Sequence, residues 1–149
     1  MSSQSQVVVL DSNVLIPLIV PTSRSTRLFA RLRCAGWLIA ASPAILEEVA
    51  DKLRNKEPLR RWLKREDAEI EKFLDVLPRL LQIVPGSVDT HGAVAADPND
   101  DKIIAAAIEA GASYIVSEDR HLRDLHTYQS IQILGIDEFK QELDRLGIA

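Results

Sequence analysis

The chain has 149 residues, of which 46% are hydrophobic and 27% charged, a composition typical of a globular domain with a sizeable core. Its net charge of −4 argues against a module that holds nucleic acid by phosphate neutralisation alone, but not against an enzyme that meets phosphate through metal ions. Because Cys34 is the only cysteine, no disulfide can form within the chain.

The amino terminus, MSSQSQ, lacks a positively charged segment followed by a long apolar run, so we expect no secretory signal. No stretch approaches about eighteen consecutive apolar residues, so we expect no membrane span. A lone cysteine suits a reducing compartment. Together these features predict a cytoplasmic protein.

Short apolar strands alternate with helices along the first part of the chain. Residues 6–10 (QVVVL) are apolar and β-branched, which predicts a buried strand, and Ser12 is expected to cap the next helix. The predicted elements are a strand at 6–10, a helix from Ser12 to Pro21, a helix at 25–35, a strand at 37–42 and a helix from Pro43 to about Arg54.

The alternation continues after a helical middle. The predicted elements are helix at 57–81 with a break near Glu66, a strand at 80–84, a loop at 85–96, a helix from Asp97 to Gly111, strands at 113–117 and 131–134, and a helix opened by Asp137. The strands lack alternation of polar and apolar residues, which is typical of a parallel sheet covered by helices on both faces. We therefore expect a single α/β domain over residues 1–149.

Two aspartates follow predicted strands. Asp11 comes directly after residues 6–10, and Asp119 comes just after 113–117. Sites in open parallel sheets form at the carboxyl ends of the strands, so both acids should reach the same rim. One such acid is often only a cap or turn residue. Two at equivalent places favour a functional site.

A third acid is placed by helical geometry. Asp100 lies in line with the apolar stripe of the predicted helix, Ile103, Ile104, Ala107 and Ile108. A carboxylate on a core-facing stripe is costly unless it is paired or bound to a cation. Complementation of the helix dipole explains Asp97 and Asp101, but it explains the inward aim of Asp100 poorly.

A fourth candidate lies in SPAILEEVADKL, at 42–53. Glu47 and Glu48 flank the apolar stripe of this helix on opposite sides, and helical projection does not choose between them. Glu48 also stands four residues before Lys52, so a solvated surface pair is the alternative interpretation.

Carboxylates brought together repel, so a cluster of three or four normally holds a divalent cation. All-oxygen ligands suit Mg²⁺ or Mn²⁺ rather than Zn²⁺. Such ions clamp a phosphodiester and lower the pKa of the attacking water. The acids therefore point to metal-assisted phosphodiester chemistry.

Three segments, VVVLDSNVLI, SPAILEEVADKL and DPNDDKIIAAAIEAGASYIVSEDRHL, together resemble the PIN domain, a metal-dependent nuclease fold. The resemblance is strongest to VapC-like toxins of prokaryotic toxin–antitoxin systems. It implies a three-layer α/β/α fold with a central parallel sheet, and cleavage of single-stranded RNA with Mg²⁺ or Mn²⁺. It also implies an antitoxin that blocks the site and a homodimer formed through helices.

The resemblance assigns roles to individual residues. The catalytic acids it implies are Asp11, Glu48, Asp100 and Asp119. Its register thus selects Glu48 over Glu47. Asp11, Asp100 and Asp119 are implied to hold the metal, with Asn13 and Ser117 orienting the ligands. His121 stands where relatives often carry another acid, which puts a second metal in doubt, and we expect it to be peripheral.

Two basic stretches are candidates for guiding RNA. KLRNKEPLRRWLKR, at 52–65, includes Arg60 and Arg61, and a second run comprises Arg24, Arg27, Arg31 and Arg33. The alternative for both is a solvated charged face.

Two other functions compete with the nuclease. A haloacid dehalogenase-like phosphohydrolase also places an Asp after its first strand, but it needs a second Asp where this chain has Asn13. A PIN module that binds RNA or protein without catalysis is kept open by His121. Binding of Mn²⁺ would separate the enzyme from the binding module.

Overall fold

The computed structural model of the chain describes residues 6–90 and 101–149. Within this part, six strands form one sheet in the order β3-β2-β1-β4-β6-β5. Their bounds are β1 Val7–Leu10, β2 Leu38–Ala41, β3 Gln82–Ile83, β4 Tyr114–Val116, β5 Thr127–Tyr128 and β6 Ile131–Leu134. All neighbouring strands are parallel except β5, which pairs antiparallel with β6 at one edge. The predicted α/β class with a central parallel sheet is confirmed.

The centre of the sheet is formed by β1 and β4. Val8, Val9 and Leu10 are fully buried, because an inner parallel strand has helices over both of its faces. The register pairs Val9 with Ala40 on one side and with Ile115 on the other. This register brings the ends of β1 and β4 level, where Leu10 faces Val116.

Eight α-helices are assigned among the described residues. They are α1 Ser12–Leu15, α2 Arg24–Cys34, α3 Pro43–Asn55, α4 Glu57–Leu63, α5 Asp67–Val76, α6 Asp101–Ala110, α7 Arg120–Arg123 and α8 Ile136–Arg145, with 3-10 turns at Ile16–Ile19 and Leu77–Leu80. On the side of α8, Phe139 packs against Tyr114 with ring centroids 5.3 Å apart and against Trp37 at 5.8 Å. None of the helices described is long and apolar enough to cross a membrane.

Several predicted boundaries shift in the structure. Asp11, not Ser12, caps α1, and its carboxylate accepts a hydrogen bond from the Ser12 N–H. The predicted break near Glu66 is confirmed: α4 ends where Lys64 adopts φ +52°, and α5 begins at Asp67. The third strand has only two residues, and α8 begins at Ile136, one residue before Asp137.

Some elements were missed or lie outside the described part. The four-residue helix α7 and the two-residue strand β5 were not predicted, because neither is long enough to show a periodicity. The predicted helix start at Asp97 lies outside the described residues, as does Asp100, and α6 is seen from Asp101.

Candidate active site

The candidate site lies where β1 and β4 end side by side. Asp11 follows β1 and donates its backbone N–H to the carbonyl of Val116 over 2.9 Å. Ser117 follows β4 directly, so two polar side chains distant in sequence become neighbours. The rim predicted from the strand ends therefore brings Asp11 together with the segment that carries Asp119.

The Asp11 carboxylate is buried, with only 3% of the residue exposed. Oδ1 accepts the backbone N–H of Ser12 at 2.6 Å, and Oδ2 accepts the Ser117 hydroxyl at 2.6 Å. Burial raises the pKa of Asp11 and the nearby charge of Glu48 adds to that rise, whereas the two hydrogen bonds and the charge of Lys52 oppose it. This carboxylate is thus oriented firmly but its negative charge is poorly compensated.

Ser117 joins the acids at the rim. Its fully buried hydroxyl donates to Asp11 and accepts the backbone N–H of Asp119 at 2.9 Å. Asn13 spans the same gap: its amide donates to Asp11 Oδ2 at 3.3 Å, and its carbonyl oxygen accepts the Glu118 N–H at 3.1 Å. The predicted supporting residues, Asn13 and Ser117, therefore both bridge the loops after β1 and β4.

Asp119 caps the short helix α7. Its Oδ1 accepts the backbone N–H of His121 at 2.8 Å. The His121 ring lies farther out, with Nδ1 4.0 Å from that oxygen and 54% of the side chain exposed. The ring therefore points outward from the rim, and its peripheral role stays a prediction.

Glu48 faces the site from α3, whereas Glu47 is exposed to solvent. Lys102 donates to Glu48 Oε1 at 3.0 Å, and Lys52 Nζ lies 3.8 Å from Oε2. Burial raises the pKa of Glu48, but hydrogen bonds with Ser12 and Lys102 and the charges of both lysines outweigh it, so the pKa is lowered. Glu48 is thus held ionised.

Two lysines of the site were not recognised as such in the sequence. Lys52 donates to the Ser12 hydroxyl at 3.1 Å, one residue from Asp11, so its pairing with Glu48 is not the solvated surface pair of the alternative interpretation. Lys102 lies near the start of α6, where the helix dipole disfavours a cation. A lysine in that unfavourable place, directly after the acids of DPNDD, was the available signal.

The donor set suits a hard divalent cation only in part. Carboxylate oxygens such as those of Asp11 and Asp119 suit Mg²⁺ or Mn²⁺, and the charge of Asp11 is poorly compensated. Within residues 6–90 and 101–149, however, no three His, Cys, Asp or Glu side chains lie close enough to hold a metal. The predicted ligand Asp100 falls in the segment that the structure does not describe.

The predicted RNA-contacting arginines lie on α4. Arg60 pairs with Asp67 and donates to the Arg54 carbonyl at 3.4 Å. Arg61 is more accessible, with 79% of its side chain exposed, and lies 3.9 Å from Glu57. In the second basic run Arg24 and Arg31 form ion pairs, with Asp137 and Asp144 among their partners.

Comparison with known proteins places this arrangement in a wider context. The sequence model of a family described as PIN domain matches residues 7–121, which is more than half of the chain. Among solved structures, VapBC2 from Rickettsia felis, bound to a DNA fragment from its promoter, shares the fold with a TM-score of 0.63. The two are 16% identical over 87% of this chain and 98% of that chain. No curated protein sequence matches.

Proposed function

The chain belongs to the PIN domain family, and from that premise we propose that it is a metal-dependent endoribonuclease that cleaves single-stranded RNA. The observation that carries the proposal is the Ser117 hydroxyl, which holds the buried Asp11 carboxylate and the Asp119 backbone at one rim. A network that orients a poorly compensated carboxylate at the ends of inner strands is expected of a site for a cation and its substrate. The family match decides against the phosphohydrolase alternative.

Asp11, Asp100 and Asp119 are proposed to hold Mg²⁺ or Mn²⁺. Such an ion polarises the phosphodiester and lowers the pKa of the attacking water. The protein's part is orientation: Ser12 and Ser117 direct the two oxygens of Asp11, and Asn13 keeps the Glu118 backbone beside them. These contacts leave the site little freedom to rearrange during the reaction.

Glu48 is proposed as the fourth catalytic acid. Its lowered pKa keeps it ionised, so its carboxylate can accept a hydrogen bond from the attacking water and orient it. Lys102 fixes the carboxylate from one side through Oε1. In this scheme the lysine acts only through Glu48, by holding its position and its charge.

Partners are part of the proposal. The similar Rickettsia protein was solved as VapBC2 on promoter DNA. That likeness, together with the family, supports a role for this chain as the toxin of a toxin–antitoxin pair with an antitoxin partner. A homodimer formed through helices remains part of the proposed assembly.

The test is cleavage of a defined single-stranded RNA by the purified protein with Mn²⁺, Mg²⁺ or EDTA. Cleavage should require the metal and should fall more than about a hundredfold in Asp11→Asn, because even residues that only support metal ligands contribute about 10–100-fold. The fold should survive, since the change removes a buried charge. Asp75→Asn, at an exposed position on α5, is the matched control and should cleave normally.

A catalytically inactive PIN module that binds RNA or protein is the second candidate. The observation in its favour is that Glu48 is already paired with Lys52 and Lys102. Calorimetric titration with Mn²⁺ separates the two functions, because the nuclease should bind Mn²⁺ and lose that binding in Asp11→Asn. Cleavage that survives EDTA, or full cleavage by Asp11→Asn, would contradict the proposed enzyme.

A further inference from the structure

The two tryptophans of the chain have opposite environments. Trp37 is buried in the core beside Tyr114 and Phe139. Trp62, on α4, is 71% exposed. Tryptophan is enriched at contacts with other molecules, because it combines a large apolar ring with a polar N–H group.

Trp62 lines a cavity of about 400 Å³ beside the candidate site. Asn13, whose amide donates to Asp11, forms part of the same wall. Pro17 and Ile136 add apolar surface, and the volume lies within the range of small-molecule sites. A ligand in this cavity would therefore lie next to the Asp11 carboxylate, which we propose to act on the phosphodiester.

The charged groups of the cavity do not suit a phosphate. Arg24 is neutralised by Glu118 at 3.2 Å and by Asp137 at 2.8 Å. An aromatic ring and small apolar side chains flanked by neutralised charges suit a nucleobase, which is flat, uncharged and able to stack.

A partner helix fits this surface less well. Helix-in-groove recognition uses several apolar anchors spaced over successive turns. Of the large exposed hydrophobic side chains among the described residues, only Trp62 lines the cavity. A single large exposed ring, with no further exposed anchors beside it among the described residues of the cavity, favours a stacked base over an apolar helix.

We propose that Trp62 is a stacking platform for one base of the single-stranded RNA, next to the phosphodiester that is cleaved. The inference rests on the proposed nuclease function and adds a base-binding position to it. Because stacking accepts every base, this position contributes affinity and placement rather than sequence selection.

The test is a double-mutant cycle in which the Trp62 ring and one RNA base are removed separately and together. RNA affinity is measured by fluorescence anisotropy in an Asp11→Asn background, for an intact RNA and for versions with one abasic position moved along the strand. Trp62→Ala should weaken intact RNA about tenfold, and Trp62→Phe should retain most of the affinity. One abasic position should weaken binding to the Trp62 protein similarly and cause no further loss with Trp62→Ala.

Two further readouts keep the test specific. RNA should quench tryptophan fluorescence, and that quenching should vanish in Trp62→Phe, where the buried Trp37 remains. Leu146→Ala removes another exposed hydrophobic side chain and should bind RNA normally. Unchanged RNA affinity in Trp62→Ala would overturn the inference, even if the protein still cleaved RNA. Failure of the protein with Asp11 intact to bind or cleave any RNA would overturn the proposed function as well.

Discussion

The two ends of β4 hold carboxylates in opposite ways. At the amino end, the Tyr114 hydroxyl donates to Glu142 at 2.5 Å, and Arg145 grips the same carboxylate with two hydrogen bonds of 2.7 Å. At the carboxyl end, the Ser117 hydroxyl donates to Asp11, and within the described residues no arginine or lysine hydrogen-bonds that acid. Hydrogen bonds from Arg145 and Tyr114 lower the pKa of Glu142 to about 2, whereas burial raises that of Asp11.

The different environments of Glu142 and Asp11 indicate different roles for the two carboxylates. Glu142 is fully compensated within the fold, so its charge contributes to stability. The hydrogen bonds to Asp11 come from neutral donors, and under the proposed function its charge would be balanced by a bound cation. The hydroxyls at the two ends of β4 thus contact a structural carboxylate, Glu142, and a carboxylate that we propose to be functional, Asp11.

Removing one hydroxyl from each end tests the comparison directly. Ser117→Ala should lower RNA cleavage by about 10–100-fold, because Asp11 and the Asp119 backbone lose their common partner. Tyr114→Phe should leave cleavage unchanged and cost about 1 kcal/mol of stability. The measurements are kcat/KM on a defined RNA and urea unfolding. Equal loss of cleavage in both variants would refute the separation.

Lys102→Met tests whether the lysine serves the site through Glu48. Cleavage should fall about tenfold because Glu48 loses its 3.0 Å partner, while Tm should change little. Lys102→Arg should recover part of the activity by restoring a donor. Lys72→Met, at an exposed position on α5, is the matched control. Full cleavage by Lys102→Met would remove the lysine from the scheme.

The dependence of stability on pH tests the structural role of Glu142. Because the pKa of Glu142 is about 2 in the folded chain and near 4.5 when unperturbed, its contribution is complete above pH 4.5 and is lost as pH falls toward 2. Glu142→Gln should therefore be less stable at neutral pH, and its deficit should shrink with acid. Urea unfolding at several pH values measures this difference, with Asp75→Asn as control. A deficit independent of pH would contradict the assignment.

His121→Ala should have the smallest effect. The ring is mostly exposed and lies 4.0 Å from Asp119, so we expect kcat/KM to change less than about threefold. The backbone N–H that Asp119 accepts remains in the variant. Loss of cleavage comparable to that of Ser117→Ala would place the ring in the reaction and make the comparison of the two strand ends incomplete.

The rim was predictable because it depends on topology. Asp11 follows an inner parallel strand and lies beside Val116 in the sheet register. This register brings Asp11 close to the residues after β4, independently of the lengths of the segments that connect the strands. The choice of Glu48 over Glu47 needed the family's register, since both flank the same stripe. In the structure Glu48 is partly buried and Glu47 exposed.

Other features depend on tertiary contacts that no local pattern carries. Lys102 reaches Glu48 from a different helix, 54 residues away. Trp62 lies in a strongly basic run, so its context indicated a charged surface, whereas in the structure its ring is exposed beside the candidate site. The left-handed Lys64, which separates α4 from α5, adopts a backbone conformation that lysine does not ordinarily favour.

The hydrogen bond between Ser117 and Asp11 joins residues 106 positions apart in the chain. Since β4 inserts between β1 and β6, the pair can form only after most of the polypeptide has been synthesised and folded. A nascent or truncated chain that ends before Ser117 would carry Asp11 without this partner and without Asp119, so the proposed site would be incomplete. For a protein proposed to be a toxin, this topology means that nuclease activity arises only when the chain is nearly complete.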